Sequence, residues 1–185
     1  MFSIRALFLP LLLGALTVTT FAQQAHVQWM SLEEAAEAQK TEPRKVMMDV
    51  YTHWCGPCKM MMANTFTNKD VIAYLNKNYY AVKFDAESSD PVTFKGKTFE
   101  NPGYRQGVRG RNSPHQLSRT LGVTAFPTMV YFDENMDIIA PISGYKTPSQ
   151  LELYIRYFAE HYITGVKVKQ EEWESYRDSF TPTFR

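Results

Sequence analysis

Cysteine is scarce in this chain, with two in 185 residues alongside four histidines. No second cysteine pair or matching histidine pair exists to complete the four ligands of a structural zinc site. Haem attachment needs a histidine directly after the second cysteine, and Lys59 stands there. Excess charge is also missing. Twenty lysines and arginines meet 19 acidic residues, a net of +1, so no global field draws the chain to nucleic acid or to an anionic membrane surface. There is no internal repeat and no low-complexity tract. The apolar run from Ala6 to Leu16 is broken by Pro10 and Gly14 and falls short of the ~20 residues a spanning helix needs.

That run is preceded by Arg5, the sole charge in the first 22 residues, and followed by Thr20-Phe21-Ala22. The pattern predicts a signal peptide over residues 1–22, cut after Ala22, with a membrane anchor as the alternative. No cysteine lies near the cut to carry a lipid. The expectation is a soluble periplasmic or secreted protein with no stable membrane insertion after cleavage. Residues 23–163 then suit one domain with a proper core, followed by a tail over 164–185.

What the chain does have is Trp54-Cys55-Gly56-Pro57-Cys58-Lys59, which spaces both cysteines as a dithiol able to close on itself. A paired thiol carries two electrons without a cofactor, and none is expected. A static disulfide is the plainer alternative, but so small a loop removes little entropy from the unfolded chain.

The flanking pattern places the pair. Ser31-Leu32-Glu33-Glu34 has the form of a capping box, opening a helix to about Lys40. Val46 to Tyr51 is a short apolar run with Asp49 inside it, the signature of a strand buried on both faces. The cysteines follow at once, and Lys59 to Ala63 continue as helix formers, with Pro57 acceptable in the first turn. A helix over 69–76, a strand over 80–84, a short helix over 115–121, strands over 128–132 and 138–142 joined by a polar turn, and a capped helix from Pro148 complete the body. Leu151, Tyr154, Ile155, Phe158 and Tyr162 line one face of that last helix. Residues 86–114, rich in glycine and proline and leaning basic, form a long loop or a small inserted element. Trp173, Tyr176 and Phe180, at helical spacing, predict a terminal helix packed on the domain.

The segment Asp49 to Met60, with Asp49 six residues before Cys55, Lys83 in the next strand, Ala125-Phe126-Pro127-Thr128 and Gly144, resembles the thioredoxin family. The resemblance covers about Ser31 to Tyr162. It implies an α/β thioredoxin fold, a central mixed sheet flanked by helices, to which this chain adds the insertion and the C-terminal helix. The stretch from Thr65 to Asp85 looks more like exported thioredoxin-like proteins than cytosolic thioredoxin.

The resemblance also implies roles. Cys55, at a helix N-terminus whose amides and dipole favour the anion, is the attacking thiolate, and Cys58, expected to be more buried, resolves the mixed disulfide. Asp49, its pKa raised by burial and tempered by Lys83, takes the proton of Cys58. Pro127, expected cis, presents backbone to an extended substrate, and Trp54, Gly56, Pro57, Phe126 and Thr128 complete the substrate surface. His53 is expected in solvent, and His26, His115 and His161 are expected to be incidental. Met60, Met61 and Met62 read as core filling and not as a copper site. No metal is expected.

The function expected is thiol-disulfide oxidoreduction in a bacterial cell envelope, acting on disulfide-containing exported proteins and recharged by an upstream thiol-disulfide donor. The alternative is a binding or assembly module, for example in cytochrome maturation or envelope protein folding, with redox turnover secondary. The basic insertion is expected either to shape a substrate groove or to be a solvated addition.

Overall fold

A computed structural model describes residues 26–185. The expected signal peptide therefore lies outside the described residues, which form a five-stranded sheet with helices on both faces and a separate two-stranded hairpin. The elements are β1 (Trp29–Met30), α1 (Leu32–Ala38), β2 (Lys45–Tyr51), α2 (Gly56–Asn64), α3 (Lys69–Asn78), β3 (Tyr79–Asp85), β4 (Val92–Phe94), β5 (Lys97–Phe99), α4 (Gln116–Thr120), β6 (Thr128–Phe132), β7 (Ile138–Ser143), α5 (Pro148–Arg156) and α6 (Gln170–Ser179). Tyr157–His161 extends α5 by a π-helical turn.

The five-stranded sheet runs β1-β3-β2-β6-β7. β1 and β2 lie parallel to β3, and β6 and β7 are antiparallel. β2 is central, and its first six residues are buried, as a run without polar alternation requires of a strand covered on both faces. Alternation along β2 then sorts its side chains. Val46, Met48 and Val50 join Val82, Phe84, Val130 and Phe132 under α1 and α4. Met47 points the other way, with Ala81, Met129 and Tyr131, into the layer that contains Met61 of α2, Leu75 of α3 and Leu151 of α5. By the same parity Asp49 faces the α2 side.

Capping boxes at Ser31 and Thr147 start α1 and α5, both read correctly from sequence. Two elements escaped that reading. β1 is two residues long, too short for any periodicity, and exists because it pairs with Ala81 and Val82. The insertion holds the hairpin β4–β5, whose Val92, Phe94 and Phe99 are buried in the α1 layer. Thr93 N–H also donates to Glu33 of α1 at 2.8 Å, so this half of the insertion is a packed part of the domain.

His115 is a correction. It is fully buried, its Nδ1 accepts the Leu117 amide at 3.1 Å to cap α4, and its Nε2 lies 3.1 Å from Asp90 O. Burial pushes its pKa down, toward the neutral ring that capping needs. In the tail, α6 stacks Trp173 on Tyr154 and packs Tyr176 against Tyr157, so the expected terminal helix is present. Met61 fills the core, whereas Met60 is exposed.

Candidate active site

The turn after β2 hands the chain directly to α2. Cys55 is the N-cap of that helix in extended conformation (φ −72°, ψ 106°), and Pro57 occupies the first turn, where a missing amide leaves no helical hydrogen bond unmade. Cys55 Sγ accepts the Cys58 N–H at 3.1 Å. The first sulfur thus sits where a helix offers unpaired amides and the positive end of its dipole. The two cysteines are joined in a disulfide, with an S–S distance of 2.05 Å. Their exposures are 3% and 4%, so Cys58 is not the more buried of the two. With the sulfurs bonded, neither side chain stands clear of the surface. What separates them is position: Cys55 caps the helix, and Cys58 lines a groove of about 360 Å³ that includes Thr52, His53, Lys59, Met62 and Lys83.

Asp49 lies in register with Lys83 on β3, and the Lys83 Nζ to Asp49 Oδ2 distance is 3.6 Å, longer than an ordinary hydrogen bond. The other carboxylate oxygen, Oδ1, is buried without a hydrogen-bond partner, and among the described residues no hydrogen bond joins Asp49 to either cysteine. Burial pushes the Asp49 pKa up from 3.8 to about 6, and Lys83 pulls against that rise. The Lys83 Nζ lies over the Tyr51 ring, 4.1 Å from its centre, a contact the sequence did not announce. The Thr52 hydroxyl, on the same groove, is also buried and unpartnered.

Across from α2, the Phe126–Pro127 peptide is cis. The proline's own carbonyl is anchored by the Gly144 N–H, which donates to Pro127 O at 2.8 Å, and Gly144 has φ +89°, a conformation glycine adopts without strain. Thr128 is wholly buried. Its hydroxyl donates to Ala125 O at 2.7 Å and lies 2.9 Å from Ser143 Oγ, so its side chain holds the turn.

Trp54 meets Phe126 edge-on, 5.9 Å between ring centres, which places these two as a rim. Gly56 and Pro57 are exposed beside it. His53 is largely in solvent as expected, yet its Nε2 lies 3.1 Å from Asp85 Oδ2. Two further residues come from the insertion and were missed as site residues. Trp54 Nε1 donates to Glu87 Oε2 at 3.0 Å, and the Arg111 guanidinium sits 4.5 Å over the Trp54 ring. Only the net basic lean of residues 86–114 hinted at them.

The described residues contain no cluster of three or more histidine, cysteine, aspartate or glutamate side chains able to hold a metal, and no helix long and apolar enough to cross a membrane.

Among solved structures, a thioredoxin from Thermus thermophilus superposes with a TM-score of 0.54 at 15% identity, covering 73% of this chain and 88% of that one. A thioredoxin-fold protein from Helicobacter pylori gives 0.55 at 13% identity, covering 81% and 86%. A putative disulphide-isomerase from Bacteroides thetaiotaomicron gives 0.51 at 22% identity, covering 76% and 99%. No curated protein sequence matches the chain at a significant level. At these identities the superpositions establish the fold, and the family profile described as thioredoxin-like domain matches residues 32–159, more than half of the chain. With the dithiol at the N-terminus of α2 and the cis-proline turn opposite it, the chain belongs to the thioredoxin-like family.

Proposed function

We propose that this protein is a thiol-disulfide oxidoreductase of the bacterial cell envelope that reduces or exchanges disulfides in exported proteins. The observation that carries the reading is the closable Cys55–Cys58 pair at the mouth of α2, on the face of the sheet where Asp49 is buried against the partly exposed Lys83.

In the reduced protein, Cys55 is the thiolate, favoured by the amide and the helix dipole that its sulfur already meets in the disulfide form. It attacks one sulfur of a substrate disulfide. A mixed disulfide forms, and the substrate's other sulfur leaves as a thiolate. Asp49, poised near neutrality by burial, takes the Cys58 proton, with Lys83 limiting the rise of its pKa. The Cys58 thiolate then attacks Cys55 Sγ, which closes the intramolecular disulfide and releases the second substrate thiol. Two electrons have passed to the substrate, and an upstream dithiol donor restores the reduced pair.

Gly56-Pro57 between the cysteines is similar to reducing members of the family and favours the reductive direction. A reduction potential close to about −270 mV is expected, and a value close to about −120 mV would overturn the reductase assignment. The envelope location follows from the N-terminal pattern of Arg5, the apolar run and Thr20-Phe21-Ala22. Full-length protein with Cys58→Ala, expressed in a bacterial host, should accumulate mixed disulfides with exported proteins. Capture of none, or of cytosolic partners alone, would defeat the proposal.

A further inference from the structure

The insertion divides into two halves with different fates. Its hairpin is buried against α1, as described above, but residues 102–111 are exposed. This second half returns to the start of α2 at Arg111, over the ring of Trp54, the residue before Cys55. A groove of about 440 Å³ lies there, between Trp54, Glu87, Arg111 and Pro114 on one side and residues 123–126 on the other. It ends at the cis Phe126–Pro127 peptide, one residue beyond its lining, and at Trp54, the neighbour of Cys55.

The charges of this groove are not equivalent. Glu87 is half-buried and commits its Oε2 to the Trp54 N–H. Arg111 is exposed, and no carboxylate among the described residues lies within ion-pair distance of it. A guanidinium stacked on an indole keeps its in-plane N–H groups free, and those suit a carboxylate in a two-point hydrogen-bonded pair. An extended peptide advances about 3.3 Å per residue, so a side chain only a few positions from a cysteine docked at Cys55 spans such a groove. Of the insertion's other cations, Lys95 pairs with Asp137 and Lys97 lies on Phe99, both on the hairpin, whereas Arg111 is the one that covers the Trp54 ring.

We propose that Arg111 is a specificity-determining residue, which selects disulfide substrates carrying an aspartate or glutamate within a few residues of the cysteine that Cys55 attacks. This rests on the oxidoreductase reading and adds a substrate class to it. The surface does not fit a polyanion, because Asp85, Glu87 and Asp90 line the adjoining cleft with His53.

The test uses three disulfide-bridged peptides identical except for aspartate, asparagine or lysine beside the cysteine. Their reduction by the full, pre-reduced protein is followed for the wild type and for Arg111→Ala, Arg111→Lys, Arg111→Glu and Arg109→Glu. The wild type should reduce the aspartate peptide about 5-fold faster than the lysine peptide, an effect the size of a partly exposed ion pair. Arg111→Ala should bring that ratio near unity, Arg111→Lys should retain part of it and Arg111→Glu should invert it. The ratio is internal to each variant, so a general loss of activity or stability does not imitate the result. An unchanged ratio in Arg111→Ala and Arg111→Glu would overturn the proposal, as would Arg109→Glu acting as strongly as Arg111→Glu, which signifies a diffuse field. Failure of the wild type to reduce even the asparagine peptide would instead defeat the oxidoreductase reading, and the selectivity with it.

Discussion

Asp49 and Glu152 are both withdrawn from solvent, with side-chain exposures of 2% and 0%, but the chain treats them in opposite ways. Glu152, on α5, receives the Thr183 N–H at 2.7 Å, the Thr183 hydroxyl at 2.6 Å, the Phe184 N–H at 2.8 Å and Arg156 Nε at 2.8 Å. Those donors outweigh burial and hold its pKa below the ordinary 4.5. Asp49 has one cation at 3.6 Å and an oxygen with no partner, and burial wins. A saturated carboxylate clasps the C-terminal tail to the body. An undersatisfied one, on the α2 side of the sheet, has its pKa raised by burial.

The sharpest way to break this contrast is to make Asp49 neutral. Asp49→Asn should slow insulin-disulfide reduction about 10²-fold at pH 7, because the resolving thiol loses its proton acceptor. The same change should raise the melting temperature at pH 7. The folded Asp49 binds its proton more tightly than the unfolded chain does, so its contribution to stability falls as pH rises from about 4 to 6. A rise from 3.8 to about 6 corresponds to roughly 3 kcal/mol of destabilisation above pH 6, the upper limit of the gain on neutralising it. An unchanged rate together with a lower melting temperature would make Asp49 an ordinary core group.

Glu152→Gln should do the reverse. Loss of charged acceptors at a fully buried site costs about 2 kcal/mol, or roughly 4–8 °C in Tm for a chain of this size, with turnover kept near that of the wild type. Thermal unfolding and the disulfide-reduction assay together check it.

Acid should then separate the two carboxylates within the wild type. Glu152 has a depressed folded pKa, so its contribution is present above its ordinary value and is lost only as pH falls through the lower folded one. Between pH 6 and 4 the Asp49 penalty is relieved while the tail clasp persists. Thermal melts should show stability of the wild type, relative to Asp49→Asn, improving over that interval. A worsening would contradict the sign of the Asp49 shift.

The smallest effect concerns the groups that temper Asp49. Lys83→Met removes the charge that lowers its pKa, so the acidic limb of the pH-rate profile should move upward. Tyr51→Leu removes the ring on which the Lys83 ammonium sits and should move that limb the same way by less. An unmoved limb in both variants would show that some other group governs it.

Much of the body was legible because its signals are local. The capping boxes at Ser31 and Thr147, the unbroken apolar run of β2 and the Cys-Gly-Pro-Cys turn each specify their own neighbourhood through hydrogen bonds and burial patterns spanning a few residues. The partners at the site were less legible. Nothing local marks Glu87 as the acceptor for Trp54, Arg111 as its cover, Tyr51 as the platform under Lys83, or Thr128 as a residue turned into the sheet. His115 looked incidental because a capping histidine has no spacing signature of its own.

The amino-acid order by itself determined the dithiol, its place at the start of a helix, and the strand that carries Asp49, since each depends on residues adjacent in the chain. Only the tertiary structure decided how well the buried carboxylates are satisfied and which residues of the insertion reach Trp54. Those depend on donors that are tens of residues away in sequence, such as Thr183 for Glu152 and Lys83 for Asp49, and become neighbours only when the sheet and tail close around them.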